Sequence, residues 1–261
     1  MIELSKIKGL FDLRGKVALI TGAAGTLGAA FAEALASEGA KIFLVDRRGE
    51  ELSKVASELQ VKGLACEWLE ANLTMEEDVD KAFSRCEESF GHLNILINSV
   101  GYSVYKPTIE LSLAEWNKVI SVNLTSAFLC SKRAAKSMIE GGIRGKIINV
   151  ASIYGLRADR FPIAAYYSSK AGLVNLTKAL AVEWARYGIN VNAIAPSFVS
   201  SRLTRVILED PRSREHVLNR TPLRRIAQPE DLLGALIFLA SSASDYVTGQ
   251  VIVVDGGWCA W

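Results

Sequence analysis

The chain has 261 residues, half of them hydrophobic, and its 30 basic and 28 acidic side chains leave a formal net charge of +2. That length suits one large globular domain, and charges of both signs scattered along the chain offer no basic footprint for nucleic acid. Apolar runs too short to span a membrane, no evident signal peptide, and four cysteines and two histidines without metal-binding spacing predict a cytoplasmic, metal-independent protein with reduced cysteines.

Short apolar runs and amphipathic stretches alternate along the chain, which predicts alternating strands and helices. From the start to the middle, the sequence predicts a strand over 16–20, a glycine-bearing turn over 21–28, a helix over 29–38, a strand over 41–45, a helix over 50–60, a strand over 64–69, a helix over 76–90 and a strand over 93–97. The second half predicts a helix over 113–139, a strand over 146–150, a helix that carries Tyr166 and extends to about residue 187, a strand over 189–195, a helix over 229–240 and a strand over 250–254. Thr74 followed by Glu77 predicts a capping box at the start of the helix over 76–90.

The predicted strands are apolar on both faces, which is typical of parallel sheets that are covered by helices on each side. The alternation therefore predicts an α/β fold with a doubly wound parallel sheet of about seven strands and right-handed crossovers. No internal repeat or linker divides the chain, so we expect a single domain over 1–261. Residues 197–227 break the alternation, are rich in arginine and contain Pro211 and Pro222. We predict that this segment is an inserted helical lid over a site.

The first predicted strand leads directly into the turn Thr21-Gly22-Ala23-Ala24-Gly25-Thr26-Leu27-Gly28. In an open parallel sheet, ligands bind beyond the carboxyl ends of the strands. Gly22 and Gly25 allow the backbone to approach a pyrophosphate closely, and the helix that follows offers free N–H groups. Gly28 allows that helix to pack tightly on the sheet. The turn predicts a dinucleotide site, and a tight turn without a ligand is the alternative.

Asp46 ends the second strand, where a carboxylate can accept hydrogen bonds from both hydroxyls of an adenosine ribose. A carboxylate there would repel a 2′-phosphate, so Asp46 favours NAD over NADP. Arg47 and Arg48 keep NADP open, because a nearby guanidinium could pair with that phosphate. The alternative for both arginines is the solvated start of a helix.

Tyr166 and Lys170 lie four residues apart and share one face if the segment is helical. A phenol has an ordinary pKa near 10 and is a poor acid or base at neutral pH. A lysine ammonium one turn away would favour the phenolate and lower that pKa, so the pair is a candidate acid/base device. By itself, the spacing also occurs by chance on solvated helices.

Glycine turn, acidic strand end and Tyr166-x-x-x-Lys170 occur in this order, and together they resemble the compact type of the short-chain dehydrogenase/reductase family over essentially the whole chain. Further matches are Asn98 with Gly101, Val122-Asn123, Ser152, Ile194-Ala195-Pro196 and Val253-Val254-Asp255-Gly256-Gly257. The chain departs from the family pattern at several positions: Thr26 replaces the middle glycine of the turn, Asn72 replaces an aspartate, Ser99-Val100 replace Asn-Ala, Ser197 replaces a glycine and Ser201 replaces a threonine.

The resemblance implies a Rossmann-type fold and four catalytic residues. Tyr166 would exchange a proton with the substrate oxygen, and Ser152 would hold that oxygen. Lys170 would lower the pKa of Tyr166 and bind the nicotinamide ribose. Asn123 would connect Lys170 to solvent through its backbone carbonyl and a water. Because oxidation needs Tyr166 as a base, oxidation of an alcohol should become faster as the pH rises.

The resemblance also implies the residues around the cofactor and the substrate. The expected contacts of NAD, with NADP as the alternative, are Gly22, Gly25, Thr26, Leu27, Gly28, Asp46, Arg47, Asn72, Leu73, Asn98, Gly101, Tyr166, Lys170, Pro196, Val199 and Ser201. The candidates for the substrate wall are Ser103, Ile153, Tyr154, Arg157, Phe161, Phe198 and Arg202. Tyr167 has no lysine four residues on and is interpreted as a packing aromatic. Trp258 and Trp261 are interpreted as interface residues, or as neighbours of another subunit's site.

Within the family, the opening Leu10–Lys16 and the ending Val254–Trp258 look like gluconate 5-dehydrogenases and related sugar or polyol dehydrogenases. The resemblance therefore implies an NAD(H)-dependent oxidoreductase that interconverts a secondary alcohol and a ketone of a sugar acid or polyol, assembled as a homotetramer. The alternatives are a 3-oxoacyl-carrier-protein thioester reductase and a nucleotide-binding regulator without catalysis. An arginine-rich lid would suit an anionic aldonate, unless the arginines only solvate the surface.

Overall fold

Seven strands form one fully parallel sheet in the computed structural model, which describes residues 7 and 9–260. The strands are β1 (Val17–Thr21), β2 (Lys41–Asp46), β3 (Cys66–Glu70), β4 (Ile95–Asn98), β5 (Lys146–Val150), β6 (Asn190–Pro196) and β7 (Val251–Val254). Their order across the sheet is β3-β2-β1-β4-β5-β6-β7, with every neighbouring pair parallel. The predicted α/β class with a parallel sheet of seven strands is confirmed.

Helices cover both faces of the sheet. They are α1 (Thr26–Ser37), α2 (Gly49–Val61), α3 (Glu76–Phe90), α4 (Leu113–Ile120), α5 (Ser126–Glu140), α6 (Ala164–Trp184), α7 (Arg205–Glu209), α8 (Pro211–Arg220) and α9 (Leu233–Ala240). Single 3₁₀ turns occur at Thr108–Glu110, Ile153–Gly155, Ala185–Tyr187, Pro229–Leu232, Ser242–Ser244 and Trp258–Ala260. Among the described residues, no helix combines the length and the apolar character that crossing a bilayer requires.

The two-residue period of the strands divides the interior into two apolar clusters. In β1, Ala18 and Ile20 face the cluster that contains Phe31 of α1, while Leu19 faces the cluster that contains Phe83 of α3. All of these side chains are fully buried. Burial on both faces explains why the strands are continuous apolar runs, and it fixes the carboxyl ends of the parallel strands at one edge of the sheet.

The predicted helix over 113–139 contains a π-helical turn that its periodicity did not reveal. The turn covers Ser121–Thr125, and within it the N–H of Ser126 donates to the carbonyl of Ser121, five residues earlier. The buried Asn123 lies in this turn, where its side-chain amide accepts a hydrogen bond from Tyr102 N (2.7 Å) and donates to Tyr102 O (2.9 Å). Both bonds join the turn to the segment after β4, a tertiary contact that the helical period cannot encode.

The predicted capping box at Thr74 is wrong. Met75 precedes α3 without a side-chain cap, and the Thr74 hydroxyl donates instead to Asn72 Oδ1 at 2.9 Å. A reciprocal capping box occurs at the start of α4, between Ser112 and Glu115. Since Asn72 offers an acceptor two residues away, the local turn competes successfully for the threonine hydroxyl.

The arginine-rich segment between β6 and α9 folds into the short helices α7 and α8. Their apolar side chains join a small cluster of buried residues, separate from the two large ones, whose members are Ile153, Tyr154, Phe161, Ile163, Phe198, Val217 and Trp258. We call this the aromatic cluster. The cluster packs the arginine-rich segment against the loop after β5 and against Trp258. That this segment acts as a lid stays a prediction.

We expect Gly234→Ala to stabilise the protein by about 0.5–1 kcal/mol, because alanine restricts the unfolded chain and favours a helix. Gly234 lies in α9, and a methyl group built there meets no atom within 4 Å. Urea unfolding would measure the gain. In the contrasting variant Gly28→Ala, the new methyl would lie 2.4 Å from the Gly22 carbonyl oxygen, so this variant should be destabilised. Equal midpoints for the two variants would contradict the packing described here.

Candidate active site

From β1, the chain adds β2 and β3 on one side of the sheet and then returns to add β4 on the other side of β1. The strand order therefore reverses beside β1. A crevice at such a switch point is where open α/β sheets bind ligands. Here a cleft of about 470 Å³ opens at the carboxyl ends of the strands. Its wall contains residues 22, 25–28, 46–48, 71–74, 99–103, 118, 122, 126, 201–203 and 206.

The glycine turn forms the floor of the cleft and has room only for backbone. Gly22 has a φ of 66°, and a Cβ there would lie 2.9 Å from the carbonyl oxygen of Ser99. Gly25 precedes α1 with no side-chain cap, which leaves the N-terminus of this twelve-residue helix to the cleft. Thr26 begins the helix and is exposed to the cleft. This cradle of backbone N–H groups fits the pyrophosphate of a dinucleotide, even with threonine in the turn.

Asp46 and Arg48 form a bidentate ion pair at the end of β2. Arg48 donates through Nε to Oδ1 and through Nη2 to Oδ2, both at 3.1 Å, and Ala24 N donates to Oδ2 at 3.1 Å. Asp46 is only 6% exposed. Its hydrogen bonds raise the pKa of Arg48 further above its ordinary value, in spite of partial burial. The pair brings a positive charge to the end of β2, where the sequence predicted a carboxylate that accepts hydrogen bonds from an adenosine ribose.

The residues predicted to contact the cofactor divide into two groups. Gly22, Gly25, Thr26, Leu27, Gly28, Asp46, Arg47, Asn72, Leu73, Gly101 and Ser201 line the cleft. The other five do not line it: Asn98, Pro196, Val199 and Lys170 are buried, and Tyr166 is partly buried. Asn98 Nδ2 donates to Asn149 Oδ1 at 2.8 Å and to Ser131 Oγ at 3.0 Å, so this side chain ties β4 to β5 and α5. It therefore supports the wall formed by residues 99–101.

A second cavity, of about 190 Å³, adjoins the cleft, and Ser103, Leu203 and Val206 line both. Its wall also contains Tyr105, Ser152, Ile153, Tyr154, Ile163, Tyr166, Ser197, Phe198, Thr204 and Ile207. Apolar and hydroxyl groups make up this wall, and no described residue that lines it is an acid, a lysine, an arginine or a histidine. We call it the substrate cavity.

Four residues predicted for the substrate wall line this cavity: Ser103, Ile153, Tyr154 and Phe198. The other three lie elsewhere. Phe161 packs in the aromatic cluster, with its ring 5.7 Å from that of Phe198. Arg157 Nη1 donates to the carbonyl of Trp258 at 2.8 Å. Arg202 lines the first cleft, which we call the cofactor cleft, and its Nη1 lies 3.7 Å from Oε1 of Glu51.

Sequence reasoning missed seven residues of the substrate cavity: Tyr105, Ile163, Ser197, Leu203, Thr204, Val206 and Ile207. Apart from Tyr105 and Ile163, they belong to the segment predicted as a lid. The apolar side chains of α7 could have predicted these wall residues, but the prediction for this segment was based on its arginines.

Ser152 and Tyr166 bring two hydroxyls together in the wall of the substrate cavity. Ser152 follows β5, and its Oγ accepts a hydrogen bond from Tyr154 N at 3.1 Å. Burial raises the pKa of Tyr166 to about 12, although a hydrogen bond with the Ser152 side chain acts to lower it. At neutral pH, Tyr166 is therefore a protonated donor in contact with a second hydroxyl.

Lys170 lies beneath Tyr166 and is almost completely buried. Its Nζ donates to the carbonyl of Val150 at 2.7 Å and lies 5.7 Å from the centre of the Tyr166 ring. Burial lowers the pKa of Lys170 to about 8. The lowering of the Tyr166 pKa by Lys170 stays a prediction.

Asn123 connects the π-helical turn to the helix of Tyr166. Its Nδ2 donates to Ser169 Oγ at 2.9 Å, and that hydroxyl donates to the carbonyl of Tyr166 at 2.8 Å. The amide therefore fixes the first turn of α6 relative to the segment at Tyr102. A relay through the backbone carbonyl of Asn123 stays a prediction.

The lid arginines lie outside the substrate cavity and engage other groups. Arg205 pairs with Glu209 at 2.6 Å, Arg225 pairs with Asp231 at 2.5 Å, and the Arg220 guanidinium lies 5.5 Å from the centre of the Trp258 ring. Their number in the sequence is therefore no argument for an anionic substrate. Among the described residues, no cluster of three histidine, cysteine or acidic side chains could hold a metal ion. Trp261 lies outside the described residues.

A family model described as enoyl-(acyl carrier protein) reductase matches residues 22–259 of the chain. The 2-dehydro-3-deoxy-D-gluconate 5-dehydrogenase of Escherichia coli (strain K12) is 37% identical over 254 residues, which cover 97% of this chain and 99% of that enzyme. A short-chain type dehydrogenase/reductase from Mycobacterium marinum superimposes with a TM-score of 0.92, at 33% identity over 98% of this chain and 100% of that one. A gluconate 5-dehydrogenase from Burkholderia cenocepacia J2315, solved in complex with NADP and tartrate, has a TM-score of 0.92 at 35% identity, over 97% and 98% of the chains.

The depressed pKa of Lys170 predicts a pH-dependent stability. The folded pKa is about 8 and the ordinary value is 10.5, so between these pH values the unfolded chain binds more protons than the folded one. The free energy of unfolding of the wild type, relative to Lys170→Met, should rise by up to about 3 kcal/mol from pH 8 to pH 10.5. Urea unfolding of both proteins at several pH values measures this difference, in which all other titrations cancel. Parallel stability curves would show that Lys170 does not titrate in this range.

Proposed function

Because the chain belongs to the short-chain dehydrogenase/reductase family, we propose that it is an oxidoreductase that interconverts a secondary alcohol and a ketone of a sugar acid or polyol. One observation carries the proposal: the hydroxyls of Ser152 and Tyr166 are hydrogen-bonded in the wall of a small cavity that adjoins a dinucleotide-shaped cleft. A bound nicotinamide would accept or supply the hydride in this arrangement.

Each hydroxyl has a distinct task in the proposed reaction. Ser152, fixed by its contact with Tyr154 N, would donate a hydrogen bond to the substrate oxygen on which charge develops. Tyr166, protonated at neutral pH, would give its proton to that oxygen during reduction of a ketone. In the opposite direction Tyr166 must first lose this proton, so oxidation should become faster as the pH rises. We propose that Lys170, which lies in α6, and Asn123, which donates to Ser169 of α6, keep Tyr166 in position.

The wall of the substrate cavity supports a small polyhydroxylated substrate. Ser103, Ser197 and Thr204 line the cavity together with Ser152 and Tyr166. They can exchange hydrogen bonds with sugar hydroxyls, while the aromatic and aliphatic side chains exclude water. The relatives named for gluconate derivatives support a sugar acid within this class. We propose that residues 197–227 act as the lid, because Leu203, Thr204, Val206 and Ile207 form one side of the cavity.

Turnover assays test this function directly. The purified protein would be incubated with NAD or NADP and with aldonates, polyols or 3-hydroxyacyl thioesters, and formation of reduced nicotinamide would be followed by absorbance. Turnover of an aldonate or polyol is the expected result. Turnover of thioesters alone would favour the thioester reductase, and tight cofactor binding without any turnover would favour a regulator.

The variant Tyr166→Phe should lower kcat at least about 100-fold, because it removes the proton donor and keeps the ring. Cofactor affinity should change little, and binding of NAD measured by calorimetry would show this. Tyr246→Phe is a matched control, since Tyr246 is fully exposed and remote in sequence from the site. Substantial activity in Tyr166→Phe would mean that another group supplies the proton.

We propose NAD(H) as the cofactor and NADP(H) as the alternative. The carboxylate of Asp46 can accept hydrogen bonds from ribose hydroxyls, which supports NAD. Arg48 neutralises this carboxylate and offers a guanidinium to a 2′-phosphate, which supports acceptance of NADP as well. The relative from Burkholderia cenocepacia was solved with NADP.

The variant Arg48→Ala should therefore increase the preference for NAD over NADP about tenfold or more, since it exposes the negative charge of Asp46 and removes a charged donor. The measurement is the ratio of kcat/KM for the two cofactors. Arg47→Ala, which keeps the Asp46–Arg48 pair, is the matched control. An unchanged ratio in Arg48→Ala would assign the discrimination to other residues.

We also propose that the protein assembles as a homotetramer, as the resemblance implies. Three of the long helices expose apolar side chains to solvent in the single chain: Leu113 in α4, Phe128 in α5 and Val182 in α6. Val182 is 82% exposed and Leu113 is 72% exposed. Covering these groups with a second copy would remove apolar surface from water.

A further inference from the structure

A hydrogen-bonded contact outside the proposed catalytic group joins α8 to the loop before α6. Nε2 of His216, in α8, lies 3.0 Å from Oδ2 and 3.2 Å from Oδ1 of Asp159, in the loop before α6. The side chains are largely buried, with exposed fractions of 20% and 12%. At such burial the contact is screened much less than a pair on the surface.

Asp159 is connected to the substrate cavity by its hydrogen bond with Tyr154. The hydroxyl of Tyr154 donates to Asp159 Oδ2 at 3.4 Å, and the ring of Tyr154 lines the cavity. The carboxylate also accepts from Arg160 N at 2.7 Å, and the N–H of Asp159 donates to the hydroxyl of Tyr167 at 3.2 Å. Tyr154 in turn donates its backbone N–H to Ser152 Oγ. A short chain of contacts therefore leads from the lid helix to the hydroxyl of Ser152.

His216 is held in a fixed orientation by aromatic rings. The centre of its imidazole lies 5.7 Å from that of Phe161 and 6.1 Å from that of Trp258, both nearly perpendicular. Asp159 is its acidic neighbour in this environment. The basic neighbours are Arg220 in the same helix, whose guanidinium lies over Trp258, and Arg160, whose Nη2 donates to the carbonyl of Arg212 at 3.4 Å. The titratable phenols nearby are Tyr154 and Tyr167.

The carboxyl group of Asp159 is ionised at neutral pH. Burial acts to raise its pKa, but hydrogen bonds from His216 and Arg160 N, together with the charges of His216 and Arg220, outweigh burial and lower the pKa below its ordinary value. A fixed negative charge therefore faces His216 across the boundary between the loop and α8. Because the ionised carboxylate is the acceptor, the hydrogen bond from His216 Nε2 is charge-assisted.

We propose that Asp159 and His216 are positioning residues, which hold α8 against the substrate wall and fix the ring of Tyr154, so that substrate affinity depends on their contact. Neither residue lines the substrate cavity, so neither is expected to touch the reacting atoms. The kinetic part of this inference rests on the proposed oxidoreductase function.

The kinetic experiment compares Asp159→Asn, His216→Gln and the double variant with the wild type. Loss of one charge-assisted hydrogen bond should raise KM about tenfold, with kcat within about twofold, and the double variant should resemble the single ones. Glu209→Gln, which breaks the exposed Arg205–Glu209 pair on the same lid, is the matched control and should leave KM unchanged. An unchanged KM, or additive effects of the two substitutions, would overturn the proposal.

A spectroscopic experiment tests the same contact without turnover. The chain has two histidines, so His92→Gln assigns the ring resonance of His216 in protein labelled at histidine. The ring resonance of His216 should shift in Asp159→Asn and stay unchanged in Glu209→Gln. In protein labelled at tyrosine, the ring resonance of Tyr154, assigned with Tyr154→Phe, should shift in His216→Gln. If Tyr154 does not respond, the positioning role is wrong, whereas absence of turnover in the wild type would count only against the proposed function.

Discussion

Parallel pairing of β1 with both β2 and β4 is the constraint on which the whole site depends. Parallel strands need long crossovers, so helices cover both faces and the carboxyl ends of the strands meet at one edge. This edge brings the glycine turn, the acidic end of β2 and the segment after β4 around a single cleft, although they are far apart in the chain. The close contact at Gly28, where no Cβ fits, holds α1 with its free N–H groups at the same edge.

Burial governs the chemistry of the candidate site. Tyr166 and Lys170 lie next to each other in the interior, where both charged forms are disfavoured. The pKa of the phenol consequently rises to about 12 and that of the ammonium falls to about 8. A bound cofactor would change the charge and the water content around both groups. The buried lysine also destabilises the fold at neutral pH, because burial disfavours its charged form.

The substrate side differs from the cofactor side in its construction. The cofactor cleft is formed by the main sheet and its turns, whereas the substrate cavity is bounded by the separate aromatic cluster and by the segment that contains α7 and α8. Its wall has hydroxyl and apolar groups, and the arginines of that segment make ion pairs or ring contacts elsewhere. The cavity therefore offers hydrogen-bonding and apolar groups rather than charged ones. The Asp159–His216 contact joins α8 to the loop before α6.

The sequence by itself determined the parallel sheet, the order of its elements, the glycine turn and the Tyr166–Lys170 pair, because hydrophobic periodicity and spacing are local properties that each segment carries alone. Only the tertiary structure decided which arginine pairs with Asp46, how a π-helical turn buries Asn123, and which lid residues face the substrate. It also decided the pKa values of Tyr166 and Lys170. These features depend on burial and on contacts between segments distant in the chain, and no local pattern encodes how strongly water is excluded from a group or which neighbour replaces it.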